Sequence, residues 1–320
     1  MSTEAVENTK STIKVELYNY YKSNDKKPLS SLPAEDLETA TKAITKVLKS
    51  VAAQNCMPNL IEGPEFATID ERGWTITLLP PPEVSSQILT KYSKAVDAFD
   101  LKNLQVDVKI LDQYASAPAG SSYKEHRLLE IICTAIHTLA IDLYTTSFPI
   151  PEVVEVNSYL PPPYPVIAHS QYYASKPWKK VFDLKAVGFW AEAQIFGGVI
   201  YFDRAHDASK PDSAEGNAYQ GVWVHGLPNT YLPCLWHVPD DVVSKAINEA
   251  AFPLDPSAAK DHNNLIGLQE AQEEHAIYRD PHLANHSTYI GEAHVDEDVG
   301  LSDADVDELK TLGWFKSQDE

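Results

Sequence analysis

Glycine is scarce in this 320-residue chain, 13 in all, and no GxGxxG follows a strand-like run and no GxxxxGK[S/T] is present. Rossmann-type dinucleotide binding and P-loop phosphate chemistry are therefore set aside. Also missing are a GxSxG nucleophile elbow, an HExxH zinc motif and the kinase signature set. Cysteine is equally sparse. Cys56, Cys133 and Cys234 are odd in number, far apart and form no CxxC. That fits a reducing compartment and excludes a disulfide scaffold or a zinc ribbon.

Positive charge is the next shortage. Lys and Arg number 26 against 46 Asp and Glu, for a net charge of −20 and a pI near 4.9. Binding to nucleic acid or an anionic membrane surface needs clustered cations. The nearest cluster, Lys22 to Lys27, is short and broken by Asp25. No run approaches 18 uncharged apolar residues, so no membrane span is expected. Met1 to Lys10 is polar, without the apolar segment of a secretory leader. The expectation is a soluble cytoplasmic protein with a small-molecule ligand and neither nucleic acid nor membrane as partner. Its oligomeric state is not legible.

What is present reads as α+β. Residues 1–10 read as a disordered tail. Ile13, Val15 and Leu17 alternate with charged residues as a short strand. Pro33-Ala-Glu-Asp opens a helix to about Ala53. Phe66 to Ile69 and Trp74 to Leu78 flank Glu71-Arg72-Gly73 as a hairpin. A helix over 83–98 and a strand over 104–111 complete the order βαββαβ, the ferredoxin-like arrangement. The predicted boundaries are thus a tail, an α+β domain over 11–115, and a second domain over 116–320 carrying a long apolar helix, an antiparallel sheet and flanking helices. The proline-rich stretch 147–165 reads as an extended connector, 257–278 as an exposed helix, and Ser302-Asp-Ala-Asp as the cap of a last helix ending at Gly313.

The sharpest candidate for chemistry surrounds Gly197-Gly198. Two glycines between apolar runs predict a tight hairpin that pairs Glu192 with Asp203. Trp190, Glu192, Gln194, Tyr201 and Asp203 would then share one face. Two carboxylates directly opposite repel. Water, a shared proton or a cation relieves that repulsion, and the last two are active-site devices. The plainer reading is a solvated acidic face, against which stands the cost of exposing so many aromatics.

A second constellation is Gly221-Val-Trp-Val-His225 followed by Tyr231-Leu-Pro-Cys-Leu-Trp-His237. This reads as two strands about a Pro-Asn turn, with Trp223 and His225 on one face and Tyr231, Leu235 and His237 on one face. Beside Glu192 and Asp203, His225 would be a general base. Trp190, Gln194, Tyr201, Trp223 and His237 would bind substrate. The polar loop between Ala205 and Tyr219 would close over it.

Two further groups carry less. His126, Glu130, Cys133, His137 and Tyr144 fall in one stripe of the long helix, at the border of its apolar face. His126 and His137 stand three turns apart, roughly 16 Å by helical rise, so one ion cannot touch both. His275, His282, His286 and His294, with His294-Val-Asp296, read best as a polar His-rich segment.

The leading functional expectation is an acid/base enzyme of lyase, isomerase or cyclase type. It would need no nucleotide cofactor and act on a small apolar or aromatic molecule, with His225, Glu192 and Asp203 catalytic. The second reading gives Glu192, Asp203, His225 and His237 a divalent metal and hydrolytic or oxygen chemistry. The third is a non-catalytic module that binds a ligand or, through prolines such as Pro161 to Pro163, a partner.

Overall fold

The computed structural model describes residues 11–14, 25–62, 67–69, 76–78, 83–148, 153–156, 185–204, 221–225, 234–254, 265–267, 271 and 277–279. All belong to one compact unit, Met1–Ser287; a second unit comprises Thr288–Glu320. The predicted tail over 1–10, the Ser302 helix and His275, His282, His286 and His294 lie outside the described residues.

The strands are β1 Ser11–Lys14, β2 Lys26–Pro28, β3 Ala67–Ile69, β4 Ile76–Leu78, β5 Gln105–Asp107, β6 Val153–Val156, β7 Val199–Asp203, β8 Val222–His225, β9 Cys234–Val238, β10 Leu265–Gly267 and β11 Ile277–Tyr278. The helices are α1 Ala34–Leu48, α2 Val51–Cys56, α3 Asn59–Glu62, α4 Ser86–Ala98, α5 Val108–Ser116, α6 Ser122–Ser147, α7 Lys185–Phe196 and α8 Asp240–Glu249. The chain is therefore a mixture of helices and antiparallel sheets, as its patterning predicts.

Helix starts follow local chemistry. Ser50, Ser85 and Ser121 each accept a hydrogen bond from the backbone N–H three residues on, at 3.2, 3.3 and 3.2 Å. Such caps are worth about 1 kcal/mol each. Ser50 also explains why the predicted helix 33–53 is broken: α1 stops at Leu48 and Ser50 starts α2 afresh. The predicted strand over 104–111 is halved for the same reason. The Asp107 carboxylate accepts from Lys109 N at 2.8 Å, turning the chain into α5 after three strand residues.

The hairpin β3–β4 forms as expected, with Ile69 opposite Ile76. However, β1 pairs with β6, inside the predicted connector, and β2 pairs with β5. These are separate two-stranded ladders, so the pairing a ferredoxin-like sheet needs is not among those described. Within the predicted exposed helix 257–278 lie two strands instead, β10 and β11.

The main sheet runs β10-β9-β8-β7-β11, antiparallel throughout. Its centre is a meander from β7 to β9, with the later strands added at opposite edges. Ile200, Phe202, Val222, Val224 and Val238 alternate onto one face and join the apolar core with α6 and α7. That core runs from Leu29 to Leu254, across the predicted boundary at 115. α6 is its axis. Its 26 residues are long and apolar enough to span a bilayer by length and composition. Here it is wrapped by α1, α3, α5, α7 and α8, and burial on nearly every side is what an all-round apolar helix needs. Each fully buried Leu or Ile on it contributes about 1.5–3 kcal/mol.

The opposite sheet face is buried as well but stands apart from that core. It carries Val199, Tyr201, Asp203, Trp223, His225, Leu235, Ile266 and Ile277.

Candidate functional site

The predicted hairpin around Gly197-Gly198 is a helix-to-strand turn. Residues 190–196 are the last turns of α7, and Gly197 takes the left-handed φ of +86° that ends the helix. Trp190, Glu192 and Gln194 therefore share no strand face. Two residues on a helix means about 200° of rotation, so Glu192 points away from both Trp190, which enters the apolar core, and Gln194, which is half-buried. Glu192 does not face Asp203. Its Oε2 lies 2.5 Å from His137 Nε2 and accepts from Arg279 Nη2 at 2.6 Å, and its Oε1 accepts from Ile200 N at 2.6 Å.

The lone carboxylate is thus answered by three donors. His137 is held below the usual histidine range, by burial first. Glu192 pulls the other way through hydrogen bond and charge, and Arg279 adds a little to the lowering. A ring N–H on Nε2 suits this contact with the Glu192 oxygen. Arg279 Nη1 also donates to Ile200 O at 2.8 Å. Ile200 presents its N–H and C=O toward the β11 side of β7, and among the described residues β11 pairs with Phe202 and Asp203. Side chains of Glu192 and Arg279 take both backbone groups of Ile200 there.

A second buried acid lies one step along. Glu130 on α6 accepts from Arg204 through both oxygens, at 2.9 and 2.5 Å, and Arg127 Nη1 lies 2.9 Å from its Oε2. Arg204 Nη2 donates to Arg279 O at 2.7 Å, which joins the two groups. The guanidinium carbons of Arg127, Arg204 and Arg279 stand 5.3, 5.3 and 5.7 Å from the centre of the Phe202 ring, within cation–π range. None of these cations is among the predicted site residues, and the patterning puts Glu130 and His137 at a solvent border. Both are buried, along with the rest of their stripe. Cys133 is buried too; burial, with Glu192 beside it, pushes its thiol well above the ordinary value, which disfavours the thiolate.

Close helix packing seats His137. A side chain at Gly188 of α7 would put its Cβ 2.3 Å from His137 Nδ1. Gly188→Ala is expected to cost about 1–3 kcal/mol by overpacking, although alanine is about 1 kcal/mol the better helix former. Urea unfolding reads this directly; a G188A protein more stable than the parent would mean that the ring does not seat there.

β8 and β9 form as expected, and Tyr201, Trp223, His225 and His237 share the second sheet face with Asp203. Tyr201 and His225 meet edge to face at 5.8 Å, and Trp223 and His237 at 4.9 Å. Yet Asp203 and His225 are not neighbours. His225 pairs with Val199, four residues from Asp203, about 13 Å along the strand. The anticipated His225–Glu192–Asp203 unit is therefore not assembled: Glu192 belongs to the α7 side, and Asp203 sits at the far end of the face.

That far end gathers other groups. Asp203 N donates to Gly221 O at 3.1 Å. Gly221 has a φ of +120°, and a Cβ there would lie 3.0 Å from His237 Nε2 and 3.7 Å from His126 Cε1. Only glycine suits both the backbone and the two rings. His126, on the first turns of α6, is 6% exposed, and its Nε2 lies 2.9 Å from Asp240 Oδ1 at the start of α8. The hydrogen bond from His126 is the chief reason the Asp240 carboxyl sits below the usual aspartate range. Partial burial opposes it, and His126 charge, Ser122 and His237 add to it. Half of the Asp240 side chain is exposed, 54%, so this pair reaches solvent.

The ends of β8 and β9 and the starts of α6 and α8 thus bring His126, His237 and Asp240 together around Gly221, with Trp223 against His237. Among the described residues, no group of three or more His, Cys, Asp or Glu is placed to hold a metal ion. His126 was singled out on its helix and His237 as a binding residue, but the partner Asp240 carried no signal beyond a helix start. No protein-family model, no curated protein and no solved structure matches this chain.

Proposed function

We propose that the chain is an acid/base enzyme of lyase or isomerase type acting on a small aromatic or apolar molecule, and that its site is the Gly221 end of the main sheet. The observation that carries this reading is the His126–Asp240 pair at 2.9 Å, a buried imidazole on a carboxylate that is itself half open to solvent, with His237 close on the same glycine. A carboxylate that orients an imidazole and stabilises its protonated form is the usual general-base arrangement. Because Asp240 stays ionised at acidities that begin to protonate an ordinary aspartate, it keeps hold of His126 there. His237, edge to face with Trp223, supplies a second proton-handling ring and an aromatic wall. His225, at the other end of the face and 1% exposed, becomes a wall residue behind Tyr201.

The test begins with ligand-observed NMR over a panel of small aromatic and apolar compounds, followed by product analysis of every binder. At least one compound is expected to bind and to be isomerised or cleaved. His126→Gln and Asp240→Asn are each expected to slow that conversion about 10²–10⁴-fold, with melting temperatures close to the parent's. Binding without turnover would leave only a ligand-binding module. Conversion at parental rate in both variants would sink the assignment of the site.

A further inference from the structure

A groove of about 670 Å³ lies between α1, α2 and the end of α8, away from the His126 cluster. That volume is the size of an ordinary small-molecule site. Its lining is unusual for this chain. Lys42, Lys46 and Lys49 stand along one side and Glu249 is the one acid among the lining residues, in a protein whose net charge is −20. The spacing 42, 46, 49 places all three on one face of α1 and its end.

The other wall is apolar. Val51 is 73% exposed, the one large hydrophobic side chain so exposed among the described residues, and it lines this groove with Ala52 and Phe252. Phe252 is fixed from behind, its ring edge on to Phe196 at 5.2 Å. The lysines are only lightly committed. Lys42 pairs with Glu38 and Lys49 with Asp97, both at exposed positions, where such pairs are worth about 0–1 kcal/mol. Lys46 Nζ donates to the carbonyl of Asn248 across the groove, tying α1 to α8.

We propose that this groove is a second binding site, for a small amphipathic carboxylate whose head meets the lysines and whose aliphatic or aryl body covers Val51 and Phe252. Cations on one side and uncovered apolar surface on the other select for both properties at once. A neutral alcohol of the same length loses the head contact, and an ammonium of the same length is repelled. The site is independent of the proposed acid/base chemistry.

Isothermal titration of the full chain with octanoate, 1-octanol and octylammonium tests it. Octanoate is expected to bind saturably at one site, at least about tenfold tighter than octanol, a difference of about 1.4 kcal/mol, with octylammonium giving no saturable heat. Lys42→Gln/Lys49→Gln, which spares the Lys46 tie, is expected to weaken octanoate about tenfold and leave octanol unchanged. Val51→Asp is expected to weaken both, and His237→Gln neither. Equal affinity for octanoate and octanol, octanoate binding indifferent to the lysine variant, or no saturable binding of octanoate would each overturn the proposal.

Discussion

Glu192→Ala is expected to lower the stability of the fold by about 3–5 kcal/mol, because it strands the buried Arg279 guanidinium without its counter-charge. Arg279 and Glu192 are 2% and 0% exposed at their side chains, so solvent cannot take over. The same change removes the acceptor for Ile200 N and for His137 Nε2. Against a typical total of about 5–15 kcal/mol, one substitution would consume much of what holds the domain together. Removing both charges tells whether the loss comes from the orphaned cation. Glu192→Leu with Arg279→Met is expected to recover a large part of it, since apolar replacements of a buried pair are often neutral. Urea midpoints of the single and double variants decide the matter. A single variant within about 1 kcal/mol of the parent would mean that the pair is not sealed from water.

Glu130→Ala is expected to be as severe, again about 3–5 kcal/mol, since it uncovers both Arg127 and Arg204. Glu130 also predicts a pH dependence. Burial alone would raise its carboxyl, but Arg204 and Arg127 outweigh burial and hold it below the ordinary 4.5. A depressed folded-state value contributes stability that is complete above the unfolded value and is lost as pH falls through the folded one. The parent is therefore expected to lose stability steeply on acidification below about pH 4.5. Glu130→Gln, less stable at neutral pH, is expected to show a shallower fall over the same range. Denaturant midpoints across an acid series measure both slopes, and parallel slopes would remove Glu130 from the account.

Much of the scaffold was legible because local chemistry decides it. Ser85 and the apolar spacing of Ile88, Tyr92 and Val96 announce α4, and the alternation Val222, Trp223, Val224, His225 announces β8. α7 was not legible. Val187, Phe189, Trp190, Ala191, Ala193, Ile195 and Phe196 are buried around the whole helix, so the stretch has no period to distinguish helix from buried strand. The double glycine then favoured a hairpin, and the whole Glu192–Asp203 pairing followed from that one misreading. The ion network was illegible for another reason. Glu192 meets Arg279 and Glu130 meets Arg204 across 87 and 74 residues, and no local pattern encodes such distances. Arg127 within an apolar helix was the one available hint, because a long cation on that face has to find a partner.

The side-chain capping of Ile200 has a consequence for how copies of the chain behave in concentrated solution. A strand border with idle amides and carbonyls is a template on which another molecule can add its own strand, the first step toward fibrous aggregates. On this border β11 covers Phe202 and Asp203, while Glu192 and Arg279 occupy the amide and carbonyl of Ile200. Among the described residues, the charges that anchor the fold thereby also keep the backbone groups of Ile200 from standing idle.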